Sequence, residues 1–349
     1  MNNDRAIRSN IRAMTGYVPG EQPRDGTFIK LNTNENPYPP STRVIEAIRE
    51  ALNGDRLRKY PDPSGTIFRQ TAARILGIDP DAILIGNGSD DVLTILTRTF
   101  VPEGGLIVSP TPSYILYRSL AEIQGARYQS VPFTADWQLP DPWPIGGANL
   151  TFLANPNSPS GTMIELPALE RWIEQVGGPV VLDEAYVDFA EVNGLSLAER
   201  PNVIATRSLS KSYSLAGIRF GFAVAHPSIV RELTKVKDSY NCDVLSLVAA
   251  AAALGDRDYL RETRAKIVAT RRRLSDSLRT LGFDVTPSQA NFVWARRADR
   301  SVTSIYEELK RRFILVRPMR YEGYGDGLRI SVGSNAEIDK LLAELKGMV

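Results

Sequence analysis

A lysine set among small hydroxyl residues, with an arginine eight positions later, is the feature of this sequence best suited to covalent chemistry. It lies in Ser208-Leu209-Ser210-Lys211-Ser212-Tyr213-Ser214-Leu215-Ala216-Gly217-Ile218-Arg219-Phe220-Gly221. The amine of Lys211 has room there to bond a planar aldehyde rather than coat the surface. The hydroxyls of Ser208 and Ser210 and the guanidinium of Arg219 can hold a phosphate through charge-assisted hydrogen bonds. By itself the string reads better as a solvated lysine in a serine-rich loop, so its company decides.

That company begins at Val180-Val181-Leu182-Asp183-Glu184-Ala185-Tyr186. An acid at the end of a buried apolar strand is costly unless it meets a cation. A protonated pyridine nitrogen suits Asp183, and the charged ring then becomes an electron sink for a carbanion at a substrate Cα. Tyr186, three residues on, can donate its hydroxyl to an oxygen on such a ring. The ordinary alternative for Asp183 is a helix cap or a salt-bridge partner.

Three further segments follow apolar runs. In Asn155-Pro156-Asn157-Ser158-Pro159-Ser160-Gly161-Thr162 the prolines fix the loop, so the amide of Asn157 can meet a ring oxygen with little entropy to lose; an Asn-Pro turn is the plain reading. In Ile85-Gly86-Asn87-Gly88-Ser89-Asp90-Asp91 a helix start at Gly88, Ser89 and Asp90 would suit a phosphate. Asp91 stands where a third glycine would complete a dinucleotide fingerprint, and no Gly-Lys-Ser/Thr follows. Tyr114, after another strand, can stack on a planar ring or simply pack.

The elements that must position these groups are legible as an alternation. Short apolar runs at Ile83–Ile85, Leu106–Val108, Leu150–Leu153, Val180–Leu182, Val203–Ala205 and Phe220–Val224 are separated by helical patterns. Most lack polar alternation, as expected of a mostly parallel sheet covered on both faces. In such sheets functional residues gather at the carboxyl ends of strands. A helix is expected from Ser41, with Val44, Ile45, Ile48, Ala51 and Leu52 on one side. After Val244 the texture changes to helices, an apolar one over Val244–Leu254 and a charged one over Asp258–Leu281, and then to strands near Phe292, Ile314 and Ile330. The expected organisation is an α/β fold: an N-terminal arm over 1–40 that joins the small domain, a large domain over 41–243, and a smaller α+β domain over 244–349.

Composition excludes several functions. The chain has 349 residues, 42 Lys plus Arg against 40 Asp plus Glu, and a net charge of +2, which offers no global field for nucleic acid or a membrane. Cys242 is the only cysteine and His226 the only histidine, so disulfides, multi-cysteine metal sites, histidine-based zinc and Ser-His-Asp chemistry fall away. No metal is expected. The charged N-terminus lacks the apolar stretch of a secretory signal, and Val244–Leu254 is too short to cross a bilayer. A cytoplasmic protein is the expectation.

Together these segments resemble the fold-type I pyridoxal-phosphate aminotransferases, most closely the histidinol-phosphate aminotransferase branch. The likeness runs in order along nearly the whole chain: Leu31 to Pro37, Tyr60-Pro61-Asp62, Gly86 to Asp91, Tyr114, Pro156-Asn157, Asp183 to Tyr186, Ser208 to Gly221, Val316-Arg317 and Leu328 to Gly333. The lysine segment departs mildly, with Arg207-Ser208 where threonine usually opens the signature and Ser212 where alanine or glycine is common.

The resemblance implies that the cofactor is pyridoxal 5'-phosphate, held by Lys211 as an imine, with Lys211 later moving the proton at the substrate Cα. It implies Asp183 at the pyridine nitrogen, Asn157 and Tyr186 at the ring oxygen, and Tyr114 stacked on the ring. Gly88, Ser89, Asp90, Ser208, Ser210 and Arg219 would take the phosphate. Tyr60 would reach the cofactor of a neighbouring subunit, which implies a homodimer with shared active sites. Arg329 would anchor the substrate carboxylate, and Arg317, Asn36 and Tyr38 would face its distal end. The implied reaction is amino exchange between L-histidinol phosphate and 2-oxoglutarate in histidine biosynthesis. An aromatic amino-acid aminotransferase and a threonine-phosphate decarboxylase are the alternatives.

Overall fold

In the computed structural model of the chain, residues 6–16, 20–23 and 28–348 are described. Thirteen strands are found among them. In chain order they are β1 (Ile29–Lys30), β2 (Ile83–Gly86), β3 (Leu106–Thr111), β4 (Arg127–Pro132), β5 (Leu150–Ala154), β6 (Val180–Asp183) and β7 (Val203–Ser208). They continue as β8 (Gly221–Val224), β9 (Asp284–Thr286), β10 (Phe292–Arg296), β11 (Ile314–Leu315), β12 (Arg317–Tyr321) and β13 (Gly325–Ser331).

The large sheet has the order β2-β8-β7-β6-β5-β3-β4. Every pairing is parallel except those of β8, which runs antiparallel to both neighbours. The apolar runs pack on both faces. Phe152, Val181 and Ile204 meet the helices Ser89–Phe100 and Leu116–Gln124, while Leu153, Leu182 and Val203 meet Trp172 and Ile173 of the helix Leu166–Val176. Because strand neighbours point to opposite faces, a sheet covered on both sides needs an apolar residue at nearly every position. β4 was not legible in the sequence: it is an edge strand whose Arg127, Gln129 and Ser130 face solvent.

Register places the chemistry along one edge. Ala154 pairs with Asp183 and Asp183 with Thr206, so β5, β6 and β7 end side by side. Since β8 runs the other way, its first residue, Gly221, lies opposite both Ser208 and Gly86.

A second sheet, β12-β13-β10-β9, is antiparallel. The helices Arg257–Thr280, Val302–Arg311 and Asn335–Lys346 supply its core partners, including Leu274, Ile305 and Leu341. The arm belongs with it: β1 pairs parallel with β11, and Leu31 is buried in the same core. The expected helix from Ser41 is present as Thr42–Ala51. The apolar helix Val244–Gly255, however, packs with Val44, Phe68, Phe220 and Phe222 of the first core rather than with the second sheet. Its alanines let it lie close against the helices Thr42–Ala51 and Thr66–Leu76, so packing changes at Gly255, not at 243. No described helix is long and apolar enough to cross a membrane.

Candidate functional site

Asp183 forms the floor of a cleft at the carboxyl edge of the large sheet. It ends β6 and is only 5% exposed. The Tyr117 hydroxyl donates to its Oδ2 at 2.7 Å, and the Ala185 amide and Thr206 hydroxyl donate to Oδ1 at 3.3 and 3.4 Å. Among the described residues no cation forms an ion pair with it. Burial therefore dominates and raises its pKa from 3.8 to about 6, helped by the nearby charge of Asp90 and opposed by these donors.

Lys211 stands three residues after β7 and reaches the same cleft. Its loop is fixed from beneath: the Leu209 amide donates to the Phe220 carbonyl at 3.0 Å, and Leu209, Leu215 and Phe220 are buried. Asn36 donates its Nδ2 to the carbonyls of both Lys211 and Ser212 at 3.1 Å. The amine itself is lightly engaged, with one bond to the Thr33 carbonyl at 3.3 Å and the Tyr186 ring centre 5.9 Å away.

Facing it, the helix Ser89–Phe100 begins at Gly88, whose φ of +89° favours glycine. A β-carbon on Gly88 would lie 2.6 Å from Nη2 of Arg219, and one on Gly221 would lie 2.4 Å from the Ser89 nitrogen. Both positions must be glycine if the arginine and the β8 strand are to approach this helix start. Ser89, Asp90, Ser208, Ser210 and Arg219 all line the cleft here. Among the described residues Arg219 makes long hydrogen bonds, 3.4 Å to Asp90 and to the Ala216 carbonyl and 3.5 Å to Ser210. Backbone N–H groups, hydroxyls and a guanidinium held this loosely form an anion cradle.

Tyr114 and Tyr186 flank the floor. Tyr114 donates to Asp90 at 3.2 Å and meets Tyr117 edge to face. The Tyr186 hydroxyl accepts a hydrogen bond from Asn34 at 3.0 Å, and its ring packs on Phe292.

The opposite wall comes from the arm and the small sheet. Arg317 of β12 and Arg329 of β13 are register partners, and both line the cleft. Arg329 donates to the Ser158 hydroxyl at 3.0 Å and the Asn32 carbonyl at 3.1 Å, while its buried Nε has no hydrogen-bond partner among the described residues. Glu35 is held at the mouth by Lys30 and Thr33; burial works against its charge, but these donors keep its pKa below the ordinary value.

Four expected residues lie elsewhere. Asn157 is buried off the wall, with its amide nitrogen donating to the Pro112 carbonyl and Ser160 hydroxyl and its oxygen accepting from Ser113. Asn36 braces the lysine loop from behind, and Tyr38 packs on Phe189, Ile267 and Val332 with Lys266 over its ring. Tyr60 is 81% exposed and stacks on Tyr240 with 4.5 Å between centroids. Conversely, sequence reasoning passed over Tyr117, Thr206, Asn32, Ser113, Ser158 and Met319. Tyr117 carried a signal: it lies three residues after Tyr114 at a helix start, a spacing that puts two side chains on one face.

The chain matches the family described as aminotransferase class I and II over residues 26–345. It belongs to that family. The histidinol-phosphate aminotransferase of Rhodopirellula baltica is 52% identical over 339 residues, covering 95% of this chain and 92% of the relative. That of Geotalea daltonii is 47% identical over 341 residues, covering 97% and 98%. Among solved structures, the histidinol-phosphate aminotransferase from Sinorhizobium meliloti in complex with pyridoxal-5'-phosphate superposes with a TM-score of 0.87 at 27% identity, covering 98% of both chains. A Thermus thermophilus aspartate aminotransferase mutant, at 17% identity and a TM-score of 0.80, shares the fold. The aminotransferase described here therefore carries its cleft where the register of β5, β6 and β7 brings an acid and a lysine together.

Proposed function

We propose that this aminotransferase moves the amino group of L-histidinol phosphate to 2-oxoglutarate, giving imidazole acetol phosphate and L-glutamate, with pyridoxal 5'-phosphate in the cleft. One observation supports the cofactor above others: a buried carboxylate with no ion-pair partner among the described residues shares a cleft with a lightly bound lysine amine and a loosely held anion cradle. Those donor sets match a ring nitrogen, an aldehyde and a phosphate. The substrate rests on the names of the relatives at 52% and 47% identity.

Bound there, the cofactor supplies an aldehyde that captures amines and a ring that withdraws electrons from the attached carbon. Lys211 would hold it through its amine and would serve as the base that takes and returns the proton at the substrate Cα. Asp183 keeps the proton on the ring nitrogen. Ser208, Ser210, Arg219 and the start of the helix Ser89–Phe100 bind the phosphate. Tyr114 would pack on the ring and Tyr186 would offer its hydroxyl to it, since both line the cleft. Arg329 exchanges its bonds to Ser158 and Asn32 for the substrate carboxylate or phosphate, with Arg317 beside it, since a guanidinium offers two parallel donors.

The same reading includes a homodimer, because Tyr60 and the exposed Leu57 and Ile67 present apolar surface that a second copy would cover. It also includes a cytoplasmic location and two domains, with the helix Val244–Gly255 assigned to the larger one.

Adding L-glutamate to the yellow protein tests the reaction. The absorption of the lysine-bound cofactor is expected to give way to that of its amine form, and histidinol phosphate is expected to outperform phenylalanine and tyrosine as donor. Preference for an aromatic donor would shift the substrate. An unchanged spectrum with carbon dioxide released from threonine phosphate would replace the transferase by a lyase.

A further inference from the structure

Asp183 is a buried acid that must be ionised while it pairs with a ring-nitrogen cation, so whatever stabilises its charged form supports that role. Burial and Asp90 both push it toward its neutral form. The groups that face it set the balance: Thr206 from β7, the Ala185 amide, Asp90 from the start of the helix Ser89–Phe100, and Tyr117 from the helix Leu116–Gln124. Thr206 and Ala185 donate at 3.4 and 3.3 Å, whereas Tyr117 donates at 2.7 Å. Only the last is a short bond.

The surroundings of Tyr117 fix this contact. Its side chain is fully buried, its ring stacks on Phe152 of β5 at 4.6 Å and 4° between planes, and Tyr114 closes its edge at 5.6 Å. With the ring clamped on both sides, the hydroxyl is held at one carboxylate oxygen. Burial and the neighbouring carboxylate hold the phenol in its protonated form, so it donates and Asp183 accepts. No imidazole is available for the task, since His226, the only histidine, caps the helix Pro227–Val236 elsewhere.

We propose that Tyr117 is a positioning residue of this aminotransferase, one that holds the Asp183 carboxylate charged and aimed into the cleft. The proposal rests on the reading of Asp183 as the partner of the ring nitrogen, and its test does not depend on that reading. In the cofactor-free protein, the Asp183 carboxyl is titrated by infrared difference spectroscopy, with Asp183→Asn identifying its band. In Tyr117→Phe, which keeps the stacked ring, the midpoint is expected to rise by roughly one to two pH units, the size of one hydrogen bond to a charged acceptor. Biosynthetic replacement of Tyr117 by 3-fluorotyrosine, a stronger donor with the same shape, is expected to move the midpoint below that of the wild type. In the holoenzyme Tyr117→Phe is expected to lower kcat by about tenfold with the donor KM unchanged. A midpoint that stays in place in both variants overturns the proposal, even if activity falls, because a merely structural tyrosine would behave that way. If instead Asp183→Asn binds and uses cofactor normally, the reading of Asp183 fails independently of the Tyr117 result.

Discussion

The two walls of the cleft hold their charges differently. On the large-sheet side, Asp183 is sealed at a strand end, braced by neutral donors and with no ion-pair partner among the described residues. On the arm and small-sheet side, Arg329 is already bonded to a hydroxyl and a carbonyl, and Glu35 is paired with Lys30. Under the proposed function, one wall waits for a permanent cation and the other trades hydrogen bonds with a ligand that comes and goes. Permanence favours burial, because a resident ring repays the desolvation of the acid continuously. Turnover favours contacts that can be exchanged at little net cost.

The largest break in this comparison is Lys211→Ala. We expect turnover to fall by at least about a thousandfold, in line with loss of a covalent catalyst, with the melting temperature little changed, since the amine makes one 3.3 Å bond.

Asp183→Asn comes next and separates rate from stability. Removing the charge that holds the ring proton is expected to lower kcat by about two to three orders of magnitude. In the cofactor-free protein the same change is expected to stabilise the fold at pH 8. The sign follows from linkage: the folded pKa of about 6 lies above the reference 3.8, so the folded state binds the proton more tightly and the ionised acid costs stability above pH 6. That cost, on the order of 2–3 kcal/mol, should fade as pH drops from 6 toward 4. Chemical denaturation at pH 8 and pH 4 of both proteins checks it.

Arg329→Lys probes the other wall. Losing the two-pronged donor is expected to raise the KM for the amino donor by about tenfold to a hundredfold, with a smaller effect on cofactor affinity. Equal losses in both would erase the distinction between the walls.

The smallest effect sharpens it. Asn36→Ala removes two 3.1 Å bonds to the lysine loop, so a stability loss of about 1–2 kcal/mol is expected with the donor KM unchanged. A raised KM would return Asn36 to the substrate.

Much of the large-sheet wall was legible in the sequence, and little of the other. Lys211 follows β7, Asp183 ends β6 and Arg219 precedes β8, each beside a buried apolar run, so local order singled them out. Arg329 and Arg317 lie near each other through β12–β13 pairing, and only the resemblance pointed to them. Asn157 and Asn36 stand off the cleft wall for a physical reason: an amide in a tight turn satisfies backbone groups first, and theirs meet the Pro112 carbonyl and the Lys211 and Ser212 carbonyls. Tyr117 was hidden because a buried tyrosine reads as packing until its hydroxyl is seen to meet an acid. Fold class was clear from the alternation of apolar runs, while β4 and the true partner of the helix Val244–Gly255 depended on tertiary packing.

The central claim is that Lys211 is the residue to which the cofactor is covalently joined. Borohydride reduction of the yellow protein, followed by proteolysis and mass mapping, tests it directly. The account predicts a single pyridoxyl-bearing peptide containing Lys211, and its loss in Lys211→Ala. A stable adduct on another lysine, or none on a protein that is catalytically active, would contradict it.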